Sequence, residues 1–165
     1  MRKPTTKDFA EYFRLALEAG ICRENEVESW ADKMIVETSS PTPDWLLNLS
    51  IESAISNHKL LEAVPGEADQ PTVWNLLLAR MGIANRTKQL NRGQIVRVLY
   101  RWTANGEIPS QFYNQASRLD DSFDGIQIQY GWCSEDKFIQ DFEHFFAPFS
   151  SFESFLPQTT LQALP

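Results

Sequence analysis

A chain of 165 residues with 42% hydrophobic and 22% charged positions is long enough for a sizeable core and too apolar to be disordered over most of its length. Its net charge of −7 and pI near 4.8 exclude the strongly basic class that holds nucleic acid by bulk charge alone. No run approaches the roughly 18 apolar residues of a membrane helix, and two cysteines, Cys22 and Cys133, are too few for a disulfide framework.

The opening stretch, MRKPTTKDFAEYFRLALEAG, has basic residues but no apolar core segment and no small-residue cleavage site, so it does not read as a secretory leader. Thr5 and Thr6 offer N-caps to a first helix carrying Phe9, Tyr12, Phe13, Ala16 and Leu17, and Gly20 is placed to stop it. In NEVESWADKMIVE the apolar residues Val27, Trp30, Ala31, Met34 and Ile35 fall at i, i+3, i+4, i+7 and i+8, the stripe of an amphipathic helix. SSPTPDWLLNLS reads as a turn into a helix, with Thr42 as cap and Pro43 in the first helical position. A further helix is expected from Ile51 to Val64, ended by Pro65 and Gly66, with Asp69 capping the next.

From Gln70 to Met81 the helix is apolar nearly all round, which suits a central element. Another runs from about Asn91 to Ala104 and stops at Asn105–Gly106. SQFYNQASRLDDSFDG is read as a helix with an Asp–Gly turn at its end, and IQIQY alternates with period two like a short strand with no second strand to pair with. Ser134 caps a last helix whose Phe138, Ile139, Phe142, Phe145 and Phe146 share a face. Beyond it Phe146, Phe149, Phe152 and Phe155 stand three apart, a spacing that drifts around an α-helix and fits a strap over residues 145–165. No internal repeat or low-complexity tract is visible. The expectation is an all-α, single-domain bundle of about six to eight helices spanning 1–165, with an apolar Phe-rich C-terminal strap that docks in cis or in trans.

Charge is laid out unevenly. Residues 1–69 carry 13 acids and 7 bases, 70–106 carry 6 bases and no acid, and 107–165 carry 9 acids and 2 bases. Within the basic island, LARMGIANRTKQLNRG resembles a helix-turn-helix with its turn at Gly82–Ile83 and a second helix opening near Ala84. That resemblance implies that Asn85, Arg86, Lys88 and Gln89 face nucleic acid. Lys88 stands where the motif needs an apolar residue, and the second helix would be very short. The competing expectation is internal pairing: Arg97 and Arg101 on the solvated face of the 91–104 helix, and Arg80 either snorkelling or meeting a carboxylate.

Asp120, Ser122 and Asp124 match the start of a calcium loop, but Gly131 stands where the bidentate Glu belongs, so calcium is rejected. His58 and His144 are read as a capping and a surface histidine. No zinc spacing, Gly-rich phosphate loop or nucleophile motif occurs, so no catalytic, cofactor or metal residue is assigned and the chain leans away from an enzyme. The leading expectation is a cytoplasmic protein–protein interaction module, an adaptor or an immunity-like inhibitor of a basic partner, without membrane attachment or cofactor. Its docking aromatics would be Phe149, Phe152 and Phe155. The alternative is a nucleic-acid-binding regulator using segment 76–102, with Arg86, Lys88, Arg92, Arg97 and Arg101 as candidate contacts to nucleic acid or to an acidic partner. An enzyme without a recognisable motif is the third reading.

Overall fold

The computed structural model describes residues 2–38, 41–51, 54–127 and 133–157. Among them the chain forms eight α-helices: α1 (Thr6–Ala19), α2 (Glu24–Glu37), α3 (Asp44–Ile51), α4 (Ala54–Glu62), α5 (Gln70–Arg86), α6 (Arg92–Ala104), α7 (Ser110–Gln127) and α8 (Glu135–Phe146). A 3-10 helix, Ala147–Phe155, follows, and no strand occurs among the described residues. The bundle is all-helical, as the spacing of the apolar residues predicts.

The helix starts follow their sequence signals. Thr5 accepts from the backbone of Asp8 at 3.2 Å while Asp8 accepts from that of Thr5 at 2.7 Å, a reciprocal box that satisfies two orphan donors of α1. Asp69 accepts from the Thr72 backbone at 3.1 Å and so caps α5. Ser134 caps α8. Pro43 accepts the first bonds of α3, from Leu46 and Leu47, so that helix begins one residue later than Thr42–Pro43 suggests.

Two helix stops and the place of one histidine differ from expectation. Helix α5 runs through Gly82 and Ile83 to Arg86, so the helix-turn-helix has no turn where the resemblance put it. Helix α7 likewise passes through Asp124 and Gly125 to Gln127 instead of turning there, which also places Ile126 and Gln127 in a helix; residues 128–130 of the strand reading lie outside the described residues. His58 sits inside α4 and not at a helix break. Of the strap, residues 158–165 lie outside the described residues, and Ala147–Phe155 forms the 3-10 helix. With three residues per turn, its period matches the phenylalanine spacing that fails on an α-helix.

The chain divides into two compact units, Met1–Leu77 with Ser154–Pro165, and Leu78–Glu153. In the first, α1 packs on α4, α2 on α3 and α3 on α4. Its core holds Tyr12, Phe13, Val27, Trp30, Leu46, Leu49 and Leu61, with Phe13 and Trp30 rings 5.2 Å apart. Cys22 is buried there, and neither it nor Cys133 is in a disulfide among the described residues. In the second unit α6 packs on α7 and α7 on α8, around Leu78, Met81, Ile95, Leu99, Trp102 and Leu119. Arg80 is buried in this unit instead of snorkelling, and it is not without a partner. Phe149 is buried against Phe112 and Phe145, at 5.5 and 5.9 Å, so the start of the strap docks in cis.

On α7, burial first, then the neighbouring Asp124 and Asp121 charges, push the Asp120 carboxyl above its usual range. A raised carboxyl pKa means that ionised Asp120 opposes folding at neutral pH, and this cost disappears as pH falls through the folded pKa towards about 3.9. Asp120→Asn is therefore expected to raise the Tm modestly at pH 7 and to leave it unchanged near pH 3, measured by thermal unfolding at both.

Candidate functional site

One turn is built twice. After α1, Gly20 takes a left-handed conformation with φ 72°, its N–H bonds Leu17 O at 3.0 Å, and Cys22 N bonds Ala16 O at 3.3 Å. After α5, Lys88 takes φ 60°, its N–H bonds Asn85 O at 3.1 Å, and Leu90 N bonds Ala84 O at 3.1 Å. The next helix then starts alike in both units. Glu26 accepts from the Arg23 backbone at 3.1 Å, and Gln94 accepts from the Asn91 backbone at 2.8 Å. A constant offset relates Ala16 to Ala84, Gly20 to Lys88, Cys22 to Leu90, Arg23 to Asn91 and Glu26 to Gln94. Only the alanine is kept in identity, because the turn is held by main-chain bonds that many side chains permit.

A groove opens beside this turn in each unit. In the first it is about 520 Å³, lined by Leu17, Cys22, Arg23, Glu24 and Asn25 with His58 of α4. In the second it is about 880 Å³ and lies between the end of α5, the start of α6 and the length of α8. Leu17, Cys22, Arg23, Glu24 and Asn25 correspond by the same offset to Asn85, Leu90, Asn91, Arg92 and Gly93, all of which line the larger groove.

Beneath the larger groove runs a row of phenylalanines, of which Phe138, Phe142 and Phe146 are buried and Phe123 is half-buried. Phe123 and Phe138 rings lie 5.6 Å apart, Phe138 and Phe142 6.0 Å, and Phe142 and Phe146 4.7 Å. One glycine lets the helices approach: a Cβ at Gly93 would meet the Phe123 ring at 2.6 Å, whereas one at Gly82 would make only ordinary contact, 3.8 Å from the Phe146 side chain. Gly93→Ala should therefore destabilise by about 1–3 kcal/mol through overpacking, although alanine ordinarily gains about 0.5–1 kcal/mol over glycine inside a helix. Chemical denaturation of the two proteins decides the sign.

The lips carry charge of both signs. On the α5–α6 side stand Arg86, Lys88 and Arg92; on α8 stand Glu135 and Glu143. Arg86 pairs with Glu153 of the strap at 2.6 Å. Arg92 lies with its guanidinium 5.8 Å from the Phe142 ring centre and 3.6 Å from Glu143, while its Nε is buried with no hydrogen-bond acceptor. Lys88 is exposed and has no ion pair among the described residues. Part of the basic island is thus paired internally, each such pair being worth about 0–1 kcal/mol.

Arg97 and Arg101 lie elsewhere, exposed on α6 with Tyr100 between them, and have no ion pair among the described residues. Phe149 faces its own core, Phe152 and Phe155 are half-buried, and none of the three lines the groove. Of the cations singled out in the sequence, Arg86, Lys88 and Arg92 line this groove, and Phe138, Phe142 and Phe146, read from their spacing as a core face, are buried beneath it. The capping box at Asn91–Gln94 was the available local signal for where the lip begins. His144 is exposed, and Asp141, one turn before it, pairs with Lys137 instead. Among the described residues no cluster of three His, Cys, Asp or Glu side chains has metal-ligand placement, and no helix is long and apolar enough to cross a membrane. The chain matches no protein-family model, no curated protein and no solved structure.

Lys88 occupies a conformation that costs an L-residue about 1 kcal/mol and glycine little. Lys88→Gly should raise stability by about that amount, and the reciprocal Gly20→Lys should lower it similarly. Denaturant midpoints of the two variants, compared at unchanged m-value, test the pair.

Proposed function

We propose that the protein is a protein–protein interaction module and that the groove of the second unit is its docking site. The observation that carries this is the open groove whose part-exposed apolar lining includes Leu90, Phe123 and Ile139, over buried Phe138, Phe142 and Phe146, and which is edged by charge on both sides. Apolar floors with polar rims are the usual anatomy of such sites, where aromatic anchors supply most of the binding energy. An adaptor or an inhibitor of the immunity type fits this arrangement, and two cysteines in no disulfide among the described residues suit a reducing compartment such as the cytoplasm. The acidic surplus of residues 1–69 would speed the approach of a basic partner and weaken with salt.

The test is co-purification from the native host with the parent protein and with Ile139→Asp, which puts a charge on the floor. Stoichiometric retention of one protein by the parent, lost in the variant, supports the module; equal retention by both moves the docking site off the groove.

A nucleic-acid reading has one observation in its favour, the unpaired Arg97, Tyr100 and Arg101 on the exposed face of α6. It requires binding to random duplex or single-stranded nucleic acid that falls by orders of magnitude between about 50 and 200 mM salt. It also requires loss of that binding in Arg97→Ala/Arg101→Ala.

A further inference from the structure

We infer that the protein associates head to tail with further copies of itself, the α2–α3 face of one copy seating on the α6–α7 face of the next. This contact lies outside the groove and goes beyond the docking reading above.

Among the described residues five large apolar side chains are exposed, Val36, Leu47, Ile51, Tyr100 and Tyr113. All five fall on two corresponding helix pairs. Helices α2 and α6 each follow the duplicated turn, and each packs on the helix after it. The offset that relates the turns also relates Ser29, Asp32, Lys33 and Val36 of α2 to Arg97, Tyr100, Arg101 and Ala104 of α6. Both sets are exposed, so the same stripe of each helix is left open. Exposed apolar patches rimmed by polar residues mark contact surfaces.

On the first pair the patch is aliphatic. Val36 stands one turn from Asp32 on α2, Ile51 one turn from Leu47 on α3, and a hydrogen bond from Ser50 to Asp32 joins the two rows. Val36 is 86% exposed and Ile51 81%, which leaves both uncovered. The rim is acidic, with Glu28, Asp32 and Asp44. The one cation on these two helices, Lys33, is already paired with Glu37 at 3.9 Å.

On the second pair the patch is aromatic and the rim basic. Arg97 and Arg101 flank Tyr100, and neither has an ion pair among the described residues. A short connection joins α6 to α7, and Phe123 near the end of α7 lies against Gly93 at the start of α6, so the two run antiparallel. The acids of α7, Asp120, Asp121 and Asp124, therefore stand at the far end from Arg101. The half beside Arg101, residues 110–119, carries no acid and exposes Tyr113 and Arg118.

The occupant follows from the two faces together. Opposite rims attract, so each face complements the other, while two acidic or two basic faces repel. A two-fold pairing of like faces is thereby disfavoured, and the heterologous arrangement remains. Tyrosine and arginine are also the side chains that anchor protein contacts most strongly. Nucleic acid fits less well. Three arginines neutralise few phosphates against a net charge of −7, and a strand would leave the aliphatic patch uncovered. Two adjoining helices about 20 Å long present roughly 500 Å² a side, the size of transient interfaces, so the association is weak and set by concentration.

Sedimentation velocity on the full chain, over about a hundredfold range of concentration, tests this. At about 50 mM salt the weight-average sedimentation coefficient should rise with concentration, and near about 500 mM it should fall back to that of the monomer. Arg97→Glu/Arg101→Glu and Val36→Asp/Ile51→Asp change exposed side chains only, and each variant should remain monomeric throughout. Each keeps one intact face, so mixing them should give a complex of one copy of each that grows no further. A parent that stays monomeric at every concentration overturns the inference. If that monomeric parent binds oligo(dT) through Arg97 and Arg101, the α6 face belongs to nucleic acid instead. Association that both variants retain, or that Ile139→Asp removes, lies elsewhere and overturns it too. A mixture that stays monomeric shows that the two faces do not bind each other and has the same consequence. The co-purification test of the groove is read separately, so either proposal can fail alone.

Discussion

Asp8→Ala is expected to lower stability by about 3–5 kcal/mol, the range for breaking a buried, hydrogen-bonded charge. Asp8 is fully buried, and its carboxylate accepts from the Thr5 backbone at 2.7 Å, the Asp69 backbone at 2.7 Å and the Arg2 guanidinium at 3.0 Å. Each such bond to a charged acceptor contributes about 1.5–3 kcal/mol, less whatever water recovers. Removal leaves the N–H groups that start α1 and cap the approach to α5 without their acceptor. Burial alone would raise the Asp8 pKa, but the backbone N–H groups of Thr5 and Asp69, followed by the Thr5 side chain and Arg2, outweigh it and hold the carboxyl below its usual value.

The sign of the pH dependence follows. A depressed folded pKa means that the stabilisation is complete above about pH 4 and is lost as pH falls through the folded value. The gap between the parent and Asp8→Asn should therefore be widest at neutral pH and narrow steadily below pH 4. Urea unfolding at pH 7 and pH 3 measures it, and a gap that does not narrow would mean the carboxylate charge is not what binds the two segments.

Asn57→Leu should act in the opposite direction and raise stability by about 1–3 kcal/mol. Asn57 on α4 is also fully buried, but neither its side-chain oxygen nor its nitrogen has a hydrogen-bond partner. Leucine has nearly the same shape, fills the same space and removes two unmet polar atoms. For a chain of this length the gain corresponds to a Tm rise of several degrees, at about 2–4 °C per kcal/mol. A fall in Tm would show that Asn57 has a partner, such as an enclosed water, that leucine cannot replace. Two buried polar residues of the same unit thus lie on opposite sides of one rule: burial of a polar group stabilises only when its donors and acceptors are met.

Much of the fold could be read along the chain because amphipathic stripes and caps are local. Val27, Trp30 and Ala31 on α2, or Phe138, Phe142 and Phe145 on α8, are buried as their spacing requires. Thr5, Asp69 and Ser134 start their helices where a side-chain acceptor is available. The stops were harder to read because glycine is an ambiguous signal. Gly82 and Gly125 both stay within helices. The residue that does leave α5 in a left-handed turn is Lys88, which carries no stop signature. The groove was illegible for another reason. It forms where the α5–α6 turn meets α8, about fifty positions further along the chain, so no single helix shows both of its walls, while the phenylalanines of α8 beneath it stay buried as their spacing requires.

The packing of α2 on α3 and of α6 on α7, each joined by a short connection, has a kinetic side. Helix pairs adjacent in the chain close small loops, and chains dominated by them fold in microseconds to milliseconds. The contacts of α1 with α4 span far more of the chain, through Lys7 bonding the carbonyl of Glu62 at 2.8 Å, and so does the bond from the Asp69 backbone, ahead of α5, to Asp8. Those should form after the transition state. Removing them would then leave the refolding rate nearly unchanged and accelerate unfolding, which makes this tie the part of the first unit that sets its lifetime once folded.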